Sequence, residues 1–220
     1  MSHDPPRPAG RLLLTPADGE APARVRRLRR LGPGRRPEPA LDAFADRLAA
    51  RTEAPYAVVD LPDGTGQFRA GLHTPGGAGR TASARDARHA KPAPGTPASG
   101  RRLPREYGFC PHVRARRKAL VLEDVRDYPR FAGNPVADEC GVRSHPGAPP
   151  IDGTGIVPGT VCVADVEPRP WGRAGLETVK ATAADLAARL EQPADGFPLR
   201  RHPRPYAGGA CAGGPCAGGA

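Results

Sequence analysis

Three stretches of the 220-residue chain bring reactive side chains close together: FCPHV holds Cys110 and His112, DEC ends on Cys140, and SHP carries His145. A thiol in the first turn of a helix with a histidine beside it favours the nucleophilic thiolate. Cys140 follows Asp138 and Glu139, which favour the opposite. Cys110, His112, Cys140 and His145 are four zinc-type donors, but the C-x-H spacing is shorter than that of ordinary zinc knuckles, so no metal site is expected. Cys162 stands in the apolar run TVCVA and reads as a buried small hydrophobe. Cys211 and Cys216 belong to YAGGACAGGPCAGGA, a low-complexity tail. Five cysteines at scattered positions do not make a secreted disulfide framework and read as mostly reduced thiols. No glycine-rich phosphate loop follows a strand and no G-x-S-x-G elbow is present. Asp124 and Asp165 end strands, with nothing beside them that marks a general base.

The elements that must position these residues follow from periodicity. Leu41, Phe44, Ala45 and Leu48 share one face of a helix, and Val25, Leu28 and Leu31 predict a short helix before it. YAVVDL (56–61) and QFRAGL (67–72), joined by PDGTG, read as a hairpin. FCPHVRARRK predicts a helix that tolerates Pro111 in its first turn, and ALVLED a buried strand. VRSHPGAPPI and IVPGTVCVAD, around the turn DGTG, read as two more strands. Leu176, Val179, Ala183, Leu186, Ala187 and Leu190 keep a helical period up to Pro193. Strands linked by short turns are antiparallel, and the terminal helices must cover one face of their sheet, which makes the fold class α+β.

Charge and composition separate a core from its extensions. The chain carries 29 Pro, 28 Gly and a net charge of +10. Residues 1–39, 74–104 and 193–220 hold +5, +5 and +2 of that charge, leaving −2 for the remainder. The predicted organisation is a basic arm at 1–39 with a short helix, a domain at 40–192 interrupted by a disordered insertion at 73–104, and a disordered tail at 193–220. A basic recognition face on the folded part is not supported, so no specific nucleic-acid partner is expected, and RVRRLRR (24–30) reads as a solvated basic helix. No apolar run reaches the ~18 residues of a membrane span, and the N-terminus lacks a secretory pattern; a cytoplasmic location is expected.

FCPHV (109–113), ALVLEDVRDYPRFAGNPV (119–136) and GVRSHPGAPPIDGTGIVPGTVCVADVEPRPW (141–171) together resemble the GAF domain family, over about residues 40–192 apart from the insertion. The resemblance implies a six-stranded antiparallel sheet flanked by helices, used as a small-molecule sensor or a dimerising signalling module. It also implies that EDVRDYPRFAGNP (123–135) folds over one sheet face as a wall of a ligand cavity, stiffened by Pro129 and Pro135 with a turn at Asn134. The ligand-binding residues expected on this basis are Phe109, His112, Tyr128, Phe131, Arg143 and His145, with Arg143 and His145 as donors to an anionic or carbonyl-bearing ligand. The competing reading makes the segment a packed lid, with Phe131 in a core, Arg143 paired to a strand-end carboxylate and His145 facing solvent. Ser144, His145, Pro146, Pro150 and Pro158 depart from the family pattern, and each proline belongs at an edge, a bulge or a strand end. The expected function is a non-enzymatic module acting in trans on an unidentified small-molecule ligand or signalling protein, with a homodimer as one form and no cofactor assigned. One branch of the family reduces free methionine sulfoxide with cysteines, so a thiol redox enzyme or sensor using Cys110 is the first alternative. An adaptor binding anionic partners through the basic arms is the second.

Overall fold

The computed structural model describes residues 15–31, 37–62, 66–77 and 101–192. Helix α1 (Ala21–Leu31) precedes α2 (Pro39–Thr52). The hairpin β1 (Tyr56–Asp60) and β2 (Gln67–His73) follows, and β3 (Arg102–Leu103) pairs with the outer edge of β2. Then come α3 (Cys110–Arg116), β4 (Leu120–Leu122), α4 (Pro129–Ala132), α5 (Pro135–Cys140), β5 (His145–Ala148), β6 (Thr160–Ala164) and α6 (Gly172–Glu191). The six strands form one sheet in the order β3-β2-β1-β6-β5-β4, with every neighbouring pair antiparallel. β6 therefore joins the β1–β2 hairpin to the β4–β5 pair.

Side chains alternate across a strand, so each strand serves two faces. Ala57 and Val59 of β1, Phe68 and Ala70 of β2, Ala148 of β5, and Val161 and Val163 of β6 turn to one side. There they meet Leu41, Phe44, Ala45 and Leu48 of α2 and Val179, Ala183, Leu186 and Leu190 of α6. Each large aliphatic or aromatic side chain buried this way contributes about 1.5–3 kcal/mol. Gly71 lets α2 approach β2 closely, because a Cβ at that position would lie 2.2 Å from the Leu41 carbonyl oxygen.

The proline positions match their chemistry. Pro150 lies beyond β5 and Pro158 ahead of β6. Pro146 sits inside β5, where Ser144 and Asp165 exchange backbone hydrogen bonds but β5 and β6 resume pairing only at Gly147 with Cys162. A proline has no N–H for the intervening pair, so the ladder opens there.

Two boundaries differ from the sequence reading. The insertion predicted at 73–104 is ordered at both ends: His73 belongs to β2, residues 75–77 form a helical turn, and Arg101 is buried beside β3. Arg101 forks onto Asp42 of α2 at 2.9 and 2.8 Å and also donates to the Arg69 carbonyl at 3.0 Å. Residues 78–100 and the tail at 193–220, with Cys211 and Cys216, lie outside the described residues. The helix in the basic arm is docked rather than solvated. Leu28 enters the main core, Arg24 is buried and donates to the Val157 carbonyl at 2.5 Å, and Arg27 pairs with Asp152 at 2.6 Å. No helix among the described residues is long and apolar enough to cross a membrane.

Candidate functional site

The opposite sheet face is covered only by short helices. Tyr56, Val58 and Asp60 of β1, Gln67 and Arg69 of β2, His145 of β5, and Cys162 and Ala164 of β6 line a cavity of about 60 Å³. Phe109 and Cys110 at the start of α3, Tyr107 and Gly108 before it, Leu103 of β3, Val136 of α5 and Val142 close it. That volume is several times the ~10–15 Å³ needed to admit one water, so it takes a few waters or a small ligand.

Two amide side chains pin the wall before α3. Asn134 accepts from the Val136 N–H at 3.0 Å and so caps α5. The same oxygen accepts from the Gly108 N–H at 2.8 Å, while its Nδ2 donates to the carbonyls of Gly108 at 3.1 Å and Glu106 at 3.2 Å. From below, Gln67 donates to the carbonyls of Pro104 at 3.0 Å and of Tyr107. Tyr107 in turn donates to the Glu139 carboxylate at 2.9 Å. The segment at 123–135 thus contributes an anchor for the loop facing the cavity.

The floor is charged. Asp60 and Arg69 are directly opposed across the β1–β2 ladder, next to a bulge between Val59 and Asp60. Arg114 of α3 reaches down to ion-pair with Asp60, both side chains being buried. Burial raises the Asp60 carboxyl above its ordinary range, and Arg114 and then Arg69 oppose that shift. Arg69 is itself pulled down by burial, with the thiols of Cys140, Cys162 and Cys110 and the Asp60 carboxylate acting against it. The Sγ atoms of Cys110 and Cys162 lie 3.8 Å apart.

The residues expected from sequence divide into three groups. Phe109 and His145 line the cavity with their rings 5.0 Å apart. His145 is buried, not facing solvent, its Nε2 meets no hydrogen-bond partner among the described residues, and burial lowers its pKa to about 3. A Cβ at position 147 would stand 2.9 Å from that Nε2, so Gly147 makes the room for the ring. Phe131 and His112 lie behind this layer. Phe131 packs edge-on to Phe109 at 5.7 Å and to His112 at 4.9 Å, within a small core that also holds Val113, Val125 and Cys140. Burial, helped by Arg130 and Arg116, lowers the His112 pKa to about 4. Tyr128 and Arg143 are outside the cavity lining. Tyr128 is 39% exposed, and Arg143 forks onto Asp124 through Nε at 2.9 Å and through Nη2, which holds the Asp124 carboxyl below its usual range. The guanidinium expected to meet a ligand is thus engaged with a strand-end carboxylate.

Asp60, Gln67, Arg69, Arg114 and Cys162 were not among the expected residues. Three of them carry a sequence signal, polar residues at alternate positions in otherwise apolar strands: Gln67 and Arg69 flank Phe68, and Asp60 closes YAVVD. Cys110, His112, Cys140 and His145 do not converge: no group of three or more His, Cys, Asp or Glu side chains among the described residues is placed to hold a metal ion.

Known proteins place this architecture. The chain is similar in fold to free methionine-R-sulfoxide reductase from Neisseria meningitidis, solved in complex with its substrate, at 15% identity and TM-score 0.50 over 80% of this chain and 93% of that one. It is similar to the cyanobacteriochrome receptor PixJ at 12% identity and TM-score 0.50, over 77% of this chain and 98% of that one. The GAF domain of an Acinetobacter phosphoenolpyruvate-protein phosphotransferase superposes at TM-score 0.47, with 14% identity, over 79% of this chain and 94% of that one. No curated protein matches the sequence. The GAF domain model matches residues 36–190, well over half of the sequence and including every strand of the sheet, and the chain belongs to the GAF domain family.

Proposed function

We propose that the domain is a non-enzymatic sensor that binds a small polar molecule in the cavity between the sheet and α3 and passes the signal to another protein. The observation that carries this reading is the His145 ring: a buried imidazole lining a cavity, with Nε2 left without a partner among the described residues. An unanswered buried polar atom costs about 1–3 kcal/mol, so a ligand that completes its bonding recovers that cost. Phe109 and Val136 supply apolar area, and the Arg69 guanidinium opposite Asp60 puts a cationic group in the lining, where Arg143 is not found. The ligand chemistry that suits this lining is a small molecule bearing a carbonyl or carboxylate together with one apolar face.

Native mass spectrometry of the purified protein, set against the denatured mass of the same sample, tests the proposal. The expected result is a retained small-molecule adduct that the His145→Leu variant fails to hold. A bare native mass, with no thermal shift across a panel of small carboxylates and amides, would overturn it. A doubled native mass without an adduct would move the function to dimerisation.

A further inference from the structure

Cys110 begins α3 and Cys162 stands in the middle of β6, 52 residues later, yet their Sγ atoms approach to 3.8 Å and both line the cavity. The Thr160 hydroxyl donates to the Cys110 carbonyl at 3.4 Å and holds the start of α3 against β6. A buried thiol in solid packing is inert, whereas these two border a space of about 60 Å³ that takes a molecule the size of a small peroxide. The buried Arg69 guanidinium lies on the same cavity floor and opposes the upward shift that the Cys110 hydrogen bond and burial impose on the Cys162 thiol. A disulfide needs the sulfurs at about 2.05 Å, a closure of roughly 1.7 Å from their separation here.

We propose that Cys110 and Cys162 form a peroxide-responsive dithiol site that closes to an intramolecular disulfide joining α3 to β6. Cys110 attacks first. The Cys162 thiol is raised well above its ordinary range by its hydrogen bond to Cys110 and by burial, so it keeps its proton longer. The Cys110 thiolate takes one oxygen of a hydroperoxide, the O–O bond breaks, and the other oxygen leaves with a proton as water or an alcohol. The Cys162 sulfur then attacks the Cys110 sulfenic acid, the S–O bond breaks, and the oxygen leaves as water with the Cys162 proton. Two thiols lose two electrons and one hydroperoxide gains them. The dithiol shares its cavity with the proposed ligand, but its outcome is read in sulfur chemistry alone, so failure of one proposal is distinguishable from failure of the other.

The test uses the full chain with Cys211 and Cys216 replaced by serine, treated with stoichiometric hydrogen peroxide. The folded protein is expected to become lighter by two hydrogens, and peptide mapping is expected to join the Cys110 peptide to the Cys162 peptide. Cys140→Ser retains the cross-link, Cys110→Ser and Cys162→Ser abolish it, and dimedone labels Cys110 in the Cys162→Ser protein. Mapping of the oxidised protein with Cys110 and Cys162 intact reads the outcome even where one of these variants folds poorly. A cross-link through Cys140, or an unchanged mass under conditions that oxidise the urea-unfolded chain, would overturn the proposal.

Discussion

The two faces of this sheet are built from the same six strands and differ in almost every other respect. One is covered by two long helices, α2 and α6, and the residues between are Leu, Val, Phe and Ala. The other is covered by α3, α4 and α5, none longer than seven residues, and encloses Asp60, Arg69, Arg114, His145 and two thiols around a cavity. Long helices bury a continuous apolar stripe, to which the buried Arg101–Asp42 pair adds one polar tie at α2. Short helices bury little each, so capping side chains, ion pairs and amide anchors hold this cover in place. The larger apolar core lies on the first face and the chemistry on the second.

The widest test of this division removes one side chain from each face. Arg114→Ala leaves Asp60 buried without its principal counter-charge and is expected to cost about 3–5 kcal/mol. Leu186→Ala opens a void between α6 and the sheet and is expected to cost about 2–5 kcal/mol. Urea unfolding reads both. The faces part company in the site itself: the small-molecule adduct survives Leu186→Ala in whatever protein remains folded, and is lost with Arg114→Ala. Equal loss of the adduct in both variants would remove the distinction.

The apolar face was the more legible in sequence, for a physical reason. A helical stripe such as Leu41, Phe44, Ala45 and Leu48 is written in consecutive turns of one element, and so is its partner in α6. The cavity face is assembled from single residues on β1, β2, β5, β6 and α3 whose meeting depends on register. Asp60 opposes Arg69 only because of the bulge at Val59, and Cys110 meets Cys162 only because β6 runs between the β1–β2 hairpin and the β4–β5 pair. Cys162 was read correctly as buried, but its neighbour was invisible. The resemblance to a known family predicted a cavity wall at 123–135, but no residue of that segment lines the cavity: Phe131 packs in the small core behind it and Asn134 anchors the loop before α3, and Arg143 and Tyr128 likewise lie outside the lining. It left Gln67 and Arg69 unnoticed because they lie outside the motifs that carried it.

Acid provides a second comparison, because the described histidines with depressed pKa values both belong to the cavity side. Burial lowers His145 from 6.5 to about 3 and His112 from 6.5 to about 4. Below pH 6.5 the unfolded chain therefore binds protons that the folded chain refuses. Stability is full above 6.5 and falls with decreasing pH until the folded pKa values are reached. At about 1.4 kcal/mol per unit, each histidine withdraws on the order of 2 kcal/mol by pH 5. His145→Gln, which does not titrate, is expected to remove about half of that slope in urea titrations between pH 7 and 5. A slope unchanged by the substitution would show that the buried imidazole is not what the acid limb reports.

The smallest effect expected lies at the rim of the cavity face, where Arg143 and Asp124 make a partly exposed pair. Such a pair is worth about 0.2–1 kcal/mol and weakens with salt, so Arg143→Ala is expected to be barely measurable and to vanish at high ionic strength. Asp124 has a second duty, accepting the Arg126 N–H at 3.0 Å and capping the turn that opens the segment over the small core. Asp124→Ala therefore loses the pair and a cap worth about 0.5–2 kcal/mol, and the cap component persists in salt. Unfolding midpoints at low and high salt separate the two contributions. If Arg143→Ala proves the costlier variant at high salt, Arg143 is doing something other than holding Asp124, and its place in the ligand site is restored.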